Sequence, residues 1–313
     1  MICVSNPLLA EYRPPPGHPE HPHRISYVRE FLEERFGKEI VSVSRRMATP
    51  EELCSVHARE YIEYLFSLNA ETYLDYETVF SERGLEEIRC AAGICLDLME
   101  YILSGTARKG FALIRPPGHH AGYNRAMGYC IVNNIALAVQ KGLQKLQRIA
   151  VIDWDAHHGN GTQELFEETD RVFFVDIHQD NLFPIQSGAA DETGKNKGKG
   201  FTLNIPLPAG STGVQYLDSM DAKIYPLLKA YKPELLCVSA GFDAVAGDLE
   251  GGMTLTPQDF GAMTERICTW ADEFCGGSVF MTLEGGYRIE SLSAALSECI
   301  GVLQNWRRHE LGR

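Results

Sequence analysis

The stretch Ile149-Ala150-Val151-Ile152-Asp153-Trp154-Asp155-Ala156-His157-His158-Gly159-Asn160-Gly161 limits what this chain can become more than any other. Its first four residues are a short apolar run, the pattern of a buried strand. They lead directly into two carboxylates, two imidazoles and glycines. A carboxylate at the end of an interior strand has to meet a partner, because an unpaired buried charge is strongly disfavoured. On an extended strand end Asp155 and His157 point the same way, and Asp153 shares their parity. Asp-x-Asp-x-His suits a divalent cation, with Asp153 either a ligand or a carboxylate that orients another group. The plainer alternative is a salt-bridged strand end.

Composition narrows the partners. The chain has 313 residues, 44% of them hydrophobic, and a formal net charge of −13. That length accommodates one large α/β domain or two small ones. The acidic balance argues against nucleic-acid binding and suits a cationic ligand. Nine cysteines are scattered without a CxxC pair, which reads as reduced thiols and a cytoplasmic setting. Residues 1–10 lack the features of a signal peptide, and no apolar run approaches membrane-spanning length, so no membrane partner is expected.

Strands are expected at 2–5, 40–43, 111–114, 149–152, 172–177, 201–205, 235–239 and 278–283. Helices are expected at 25–36, from the Thr49 cap to 68, at 85–103, 134–146, 162–167, 214–231, from the Thr256 cap to 274, and at 289–306. The proline- and glycine-rich segment from Arg13 to Arg24 is expected to be irregular. Alternating apolar strands and amphipathic helices predict a mainly parallel sheet covered on both faces, in one domain over 1–313.

In open α/β sheets, function gathers beyond the carboxyl ends of strands. There this sequence places Arg115–Gly122 with His119 and His120, then Asp153–His157, then Ala240–Asp243, then Glu284–Tyr287. Asp155, His157 and Asp243 make three ligands with a free position, the pattern of a catalytic zinc. His119 and His120 are candidates for proton transfer, with Asp153 and Asn160 to orient them. Tyr287 is placed to donate a hydrogen bond to a developing oxyanion. Together these residues point to metal-assisted amide hydrolysis.

The motifs RPPGHHA (115–121), DWDAHHGNGT (153–162), SAGFDA (239–244) and LEGGY (283–287) closely resemble the histone deacetylase superfamily. The likeness is to its class II-like members and bacterial relatives, including acetylpolyamine amidohydrolases. It extends from HPEHPHR (18–24) to the last helix. The resemblance implies the arginase–deacetylase fold, with one eight-stranded parallel sheet between helices. It implies that Asp155, His157 and Asp243 bind zinc, that His120 is the general base assisted by His119, and that Tyr287 stabilises the tetrahedral intermediate. It places the acyl tunnel on Gly128, Tyr129 and Phe183, with tyrosine where phenylalanine is commoner. Asn160 stands where class I members have aspartate, which should leave the His120 pKa lower. Two structural potassium sites are also implied. One uses Asp153, Asp155, His157 and Asp176–Ile177, and the other uses main-chain oxygens of Phe166, Thr169, Val172 and Phe201.

The resemblance puts Glu250 at the pocket mouth, where a carboxylate favours a substrate with a distal ammonium. The expected substrate is therefore a small acetylated amine, with acetyl-lysine in a protein as the alternative. Asp75 and Glu77 are weaker rim candidates that also read as solvated loop acids. Lys195, Lys197 and Lys199 lack phosphate-loop spacing and read as a surface loop. His18, His21 and His23 are expected to serve structure or the rim, and Cys130 to be an apolar filler. Two rivals remain. An arginase-like ureohydrolase would need further carboxylates where Gly159 and Gly241 stand. A non-catalytic acyl-binding protein would have no use for His119, His120 and Tyr287 together.

Overall fold

The apolar runs pair into one sheet. In the computed structural model, which describes residues 1–11, 14–38 and 40–306, the strands are β1 (Ile2–Ser5), β2 (Val41–Val43), the short β3 (Thr72–Tyr73) and β4 (Val79–Phe80), β5 (Lys109–Ala112), β6 (Ile149–Asp153), β7 (Val172–Gln179), β8 (Thr202–Leu207), β9 (Leu235–Ala240) and β10 (Val279–Leu283). Eight of them form a single sheet in the order β2-β1-β5-β10-β9-β6-β7-β8. Every neighbouring pair in it is parallel, as expected from the alternation of strands and helices. β3 and β4 form a separate antiparallel pair.

Every residue of β6 and β9 is buried, because helices cover both faces. α4 (Gly84–Leu103) packs on α5 (Asn134–Gly142), while α9 (Pro257–Phe274), α10 (Ile289–Asn305) and α1 (His23–Phe36) form a second group. Both groups reach the central strands. No described helix is long and apolar enough to cross a membrane.

Beyond shifts of a few residues at element ends, such as β5 at Lys109–Ala112 and α5 stopping at Gly142, the structure departs from the predicted elements at three helices. The helix expected to run to 68 is broken into α2 (Pro50–Leu53), capped by Thr49 and Glu52 as predicted, and α3 (Arg59–Ser67). The break delivers His57 into the interior. Its Nδ1 donates to Gly122 O at 2.9 Å, and its Nε2 accepts from Asn133 N at 2.9 Å. Burial pushes this imidazole down to about 4, so it is neutral and makes both bonds. The helix expected over 214–231 is interrupted by a π-helical turn, Met220–Ile224, between α7 (Gly213–Ser219) and α8 (Tyr225–Tyr231). Pro226 follows that turn and has no N–H to continue a regular ladder. The segment expected to be irregular up to Arg24 becomes helical at His23, while Arg13 lies outside the described residues.

Arg24 is fully buried because Glu20 and Arg115 are buried with it. Glu20 pairs with Arg24 at 3.1 Å and forks with Arg115, whose Nε reaches it at 2.8 Å. Burial opposes charge on Glu20, but the Arg115 and Arg24 guanidiniums outweigh it and hold the carboxyl below the usual range. Because the folded pKa is depressed, this stabilisation is present above the unfolded value and is lost as pH falls through the folded one. Glu20→Gln should destabilise the fold by roughly 3–5 kcal/mol near neutral pH, since it removes the carboxylate that both buried guanidiniums share. Urea denaturation of both proteins should show that deficit shrinking in acid.

Candidate active site

The carboxyl edge of the sheet gathers its chemistry from the ends of β5, β6, β9 and β10. The end of β6 supplies Asp155 and His157, and the loop after β9 supplies Asp243. His157 Nδ1 lies 2.9 Å from Asp243 Oδ2 and 3.1 Å from Asp155 Oδ1. The three ligand atoms lie within 4.8 Å of one another, and all three residues are buried. Backbone amides fix the carboxylates: Ala156 N donates to Asp243 at 2.7 Å, and Gly285 N to Asp155 at 2.8 Å. Glycine is required alongside, since a Cβ on Gly241 would stand 1.9 Å from Asp155 Oδ2.

Two buried carboxylates here share one imidazole. Burial disfavours charge on His157, but its hydrogen bonds to Asp155 and Asp243 push its pKa up to about 10. Asp243 is itself pushed up to about 7, first by burial and then by the Asp155 charge. The donor set is short of positive charge, and a divalent cation held by Asp155, His157 and Asp243 would supply it. The residues fit zinc on those grounds.

The tandem histidines stand as expected, with different partners. His119 Nδ1 donates to Asp153 Oδ2 at 3.0 Å, and His120 Nδ1 donates to Asn160 Oδ1 at 2.8 Å. Asn160 opens α6 (Asn160–Phe166). The rings are 4.1 Å apart. These partners split the two imidazoles electrically. Burial lowers both, but the Asp153 and Asp155 carboxylates raise His119 well above its usual value. His120 is held well below it, first by burial and then by His119 and His157, against only a neutral amide. His120 therefore keeps a free Nε2 lone pair.

Gly128, Tyr129 and Phe183 line one pocket with His120, His157 and Tyr287. Gly128 has φ +55°, and a Cβ there would meet His120 at 2.5 Å and Phe183 at 2.9 Å. Phe183 meets the His120 ring edge-on at 5.3 Å, and Tyr129 meets Tyr287 at 5.6 Å. Glu77 and Glu250 line the same pocket and are half-buried. Burial raises both carboxyls; beyond that Asp75 and then Glu250 raise Glu77, and Asp248 raises Glu250. Asp75 does not line the pocket: its Oδ1 accepts from Glu77 N and Thr78 N and shapes that turn. His18 lies at the rim, with Nε2 2.9 Å from Glu77 O and its ring against Tyr129. His21 and His23 stack on each other.

Of the residues tied to potassium, Asp153 and Asp176 face each other in the β6–β7 register. Asp176 Oδ2 accepts from Gly159 N at 2.8 Å, and its Oδ1 accepts from His178 Nδ1 at 2.7 Å. Phe166 ends α6, Thr169 and Val172 lead into β7, and Phe201 O accepts from Phe174 N at 2.9 Å.

Three supporting residues escaped the sequence reading. Arg24 stacks its guanidinium 4.7 Å from the Tyr287 ring centroid and donates to Gly286 O at 2.7 Å and to Glu284 O. Asp248 Oδ2 accepts from Tyr287 N at 2.8 Å, while its Oδ1 accepts from Glu250 N at 3.1 Å. His57 braces the loop after β5 from below through Gly122. The i,i+4 spacing of Glu20 and Arg24 inside HPEHPHR was a signal for the first of these; the other two left none.

The comparisons agree with this geometry. The Histone deacetylase domain family model matches residues 18–303. Histone deacetylase 15 of Arabidopsis thaliana is 36% identical over 295 residues, which cover 91% of this chain and 52% of that protein. Polyamine deacetylase HDAC10 of Homo sapiens is 36% identical over 303 residues, covering 91% of this chain and 44% of that protein. The chain thus spans about half the length of these two relatives. The crystal structure of the HDA15 HD domain superposes with a TM-score of 0.91 at 33% identity, covering 98% of this chain and 91% of that one. Sheet order, site geometry and sequence agree: this chain adopts the arginase–deacetylase fold and belongs to the histone deacetylase family.

Proposed function

We propose that residues 1–313 form one zinc-dependent catalytic domain that hydrolyses the amide of an acetylated amine. The observation behind this is the convergence of Asp155, His157 and Asp243 with both oriented imidazoles and Tyr287 around one pocket. A zinc ion held by the three ligands would polarise the amide carbonyl and acidify an attacking water. His120, neutral and with its Nδ1–H committed to Asn160, accepts the proton of that water at Nε2. His119, held cationic by Asp153, stabilises the negative charge that develops. Tyr287 keeps its phenolic proton, because burial first and the Asp243 and Asp155 charges next outweigh Arg24. It donates that O–H to the oxyanion. Gly128, Tyr129 and Phe183 hold the acylated chain and exclude water. Asp153 and Asp176, and the Phe166–Val172 turn with Phe201, are where potassium would support the framework.

Within this reading we favour an acetylpolyamine. Glu250 and Glu77 line the pocket together, so a distal ammonium would find two carboxylates. Protein acetyl-lysine is the second reading, favoured by exposed apolar side chains beside pocket residues on three loops: Tyr76, Ile185 and Leu249. The ureohydrolase alternative is disfavoured by space as well as by sequence. A Cβ on Gly159 would approach Asp153 Oδ2 to 2.5 Å, and one on Gly241 would collide with Asp155.

Chelation should abolish deacetylation, and restored activity should track about one zinc per chain in elemental analysis. Tyr287→Phe should lower kcat by about 10²–10³-fold with little change in KM, read by steady-state kinetics on an acetylated diamine. Glu250→Leu should lower kcat/KM for acetylated polyamines relative to acetyl-lysine peptides. An unchanged ratio across a panel of acetylputrescine, acetylspermidine and lysine peptides would move the assignment to protein substrates.

A further inference from the structure

A second convergence of ligand atoms adjoins the first. His119, Cys130 and Glu284 each offer one atom, and these lie within 4.8 Å of one another. All three side chains are buried, and they come from two segments: the connection between β5 and α5, which carries His119 and Cys130, and the end of β10, which leads into Glu284. His119 Nδ1 is committed to Asp153, so Nε2 is the nitrogen left to it. Glu284 Oε2 accepts from Gly118 N at 2.7 Å and His119 N at 3.1 Å. Its Oε1, equally buried, has no hydrogen-bond partner. A buried carboxylate oxygen left unsatisfied in a native interior calls for an explanation. The apolar-filler role expected for Cys130 does not account for such neighbours.

We propose that His119, Cys130 and Glu284 form a second site for a thiophilic divalent cation, best suited to zinc, whose occupation inhibits the enzyme. One nitrogen, one sulfur and one carboxylate oxygen are ligands that zinc accepts together. At zinc–ligand lengths the edge of a tetrahedron is about 3.5 Å, so small side-chain movements close the set. Binding displaces two protons to solvent, one from the Cys130 thiol and one from Nε2 of the cationic His119, and forms a sulfur–metal and a nitrogen–metal bond. The thiolate and the carboxylate then balance the charge of the ion, which makes the filled site neutral in a place that disfavours net charge. Oε1 of Glu284 gains its missing partner. The cost falls on His119: its Nε2, 3.9 Å from Asp155 Oδ1, is withdrawn from the reacting face. The inhibition therefore rests on the deacetylase reading, whereas the binding site does not.

The test is a titration of protein already carrying one equivalent of zinc, using cobalt(II) as the probe under anaerobic conditions. One further equivalent should bind with a sulfur-to-cobalt charge-transfer band in the near ultraviolet. Cys130→Ser should remove that band while keeping the first equivalent of zinc, and Glu284→Gln should weaken cobalt binding by about tenfold or more. In turnover assays excess zinc should suppress the wild type, and Cys130→Ser should need about tenfold more zinc for the same loss. The absence of the band in wild type, or its persistence in Cys130→Ser, would overturn the site. Full inhibition of Cys130→Ser at the wild-type zinc concentration would overturn the inhibitory role. If the one-zinc protein deacetylates nothing, the proposed activity fails, yet the cobalt spectra still decide the site.

Discussion

Two buried carboxylates leaning on one imidazole set the terms for the rest of this molecule. Asp155 and Asp243 are both removed from solvent, and His157 alone does not neutralise them. Such an arrangement persists only if backbone dipoles and packing hold it in place. The amides of Ala156, His157 and Gly285 supply the dipoles. Glycines at 241 and 285 supply the room, since a methyl group at either would fall against a carboxylate oxygen. A divalent ion held by Asp155, His157 and Asp243 would balance this charge distribution.

The sheet makes the arrangement possible by parallel pairing. Every strand of the eight ends at the same edge, so loops far apart in sequence meet there. β9 and β10 are neighbours, and β6 lies against β9, so Asp243, Glu284–Tyr287 and Asp155–His157 arrive side by side. The imidazoles come from β5, next to β10 on the other side. They are told apart by their neighbours: carboxylates, Asp153 foremost, surround His119, while His120 has an amide behind it and two other imidazoles beside it. That pushes two adjacent identical rings apart in basicity and gives each a separate task.

Much of this was readable in the sequence, and the unread part has a common cause. The strand-then-charge pattern at 149–157 exposed Asp155 and His157 as candidate ligands because burial and ionisation conflict within a few residues. The periodicity of the helices gave the two-faced sheet. The interruption at His57 was not readable, since the reason for it lies at Gly122 and Asn133, 65 and 76 residues away. The same holds for Arg24, whose carbonyl partners are 260 and 262 residues distant. Asp248 carries no mark in the sequence, because its partners are backbone amides, which every sequence contains. The π-helical turn does have a local sign, Pro226, set within an otherwise helical apolar periodicity.

Asp248 ties together two segments of the pocket wall that come from different loops. One of its oxygens fixes the backbone of Tyr287, the other the backbone of Glu250. The proposed oxyanion donor and the proposed rim carboxylate thus hang from one side chain. A loop remodelled to admit a different amine pulls on the same anchor that aims the phenol. Drift in substrate preference within this architecture therefore meets a built-in brake, and variants that exchange the Glu250 side chain while sparing the backbone around Asp248 are the easier evolutionary route.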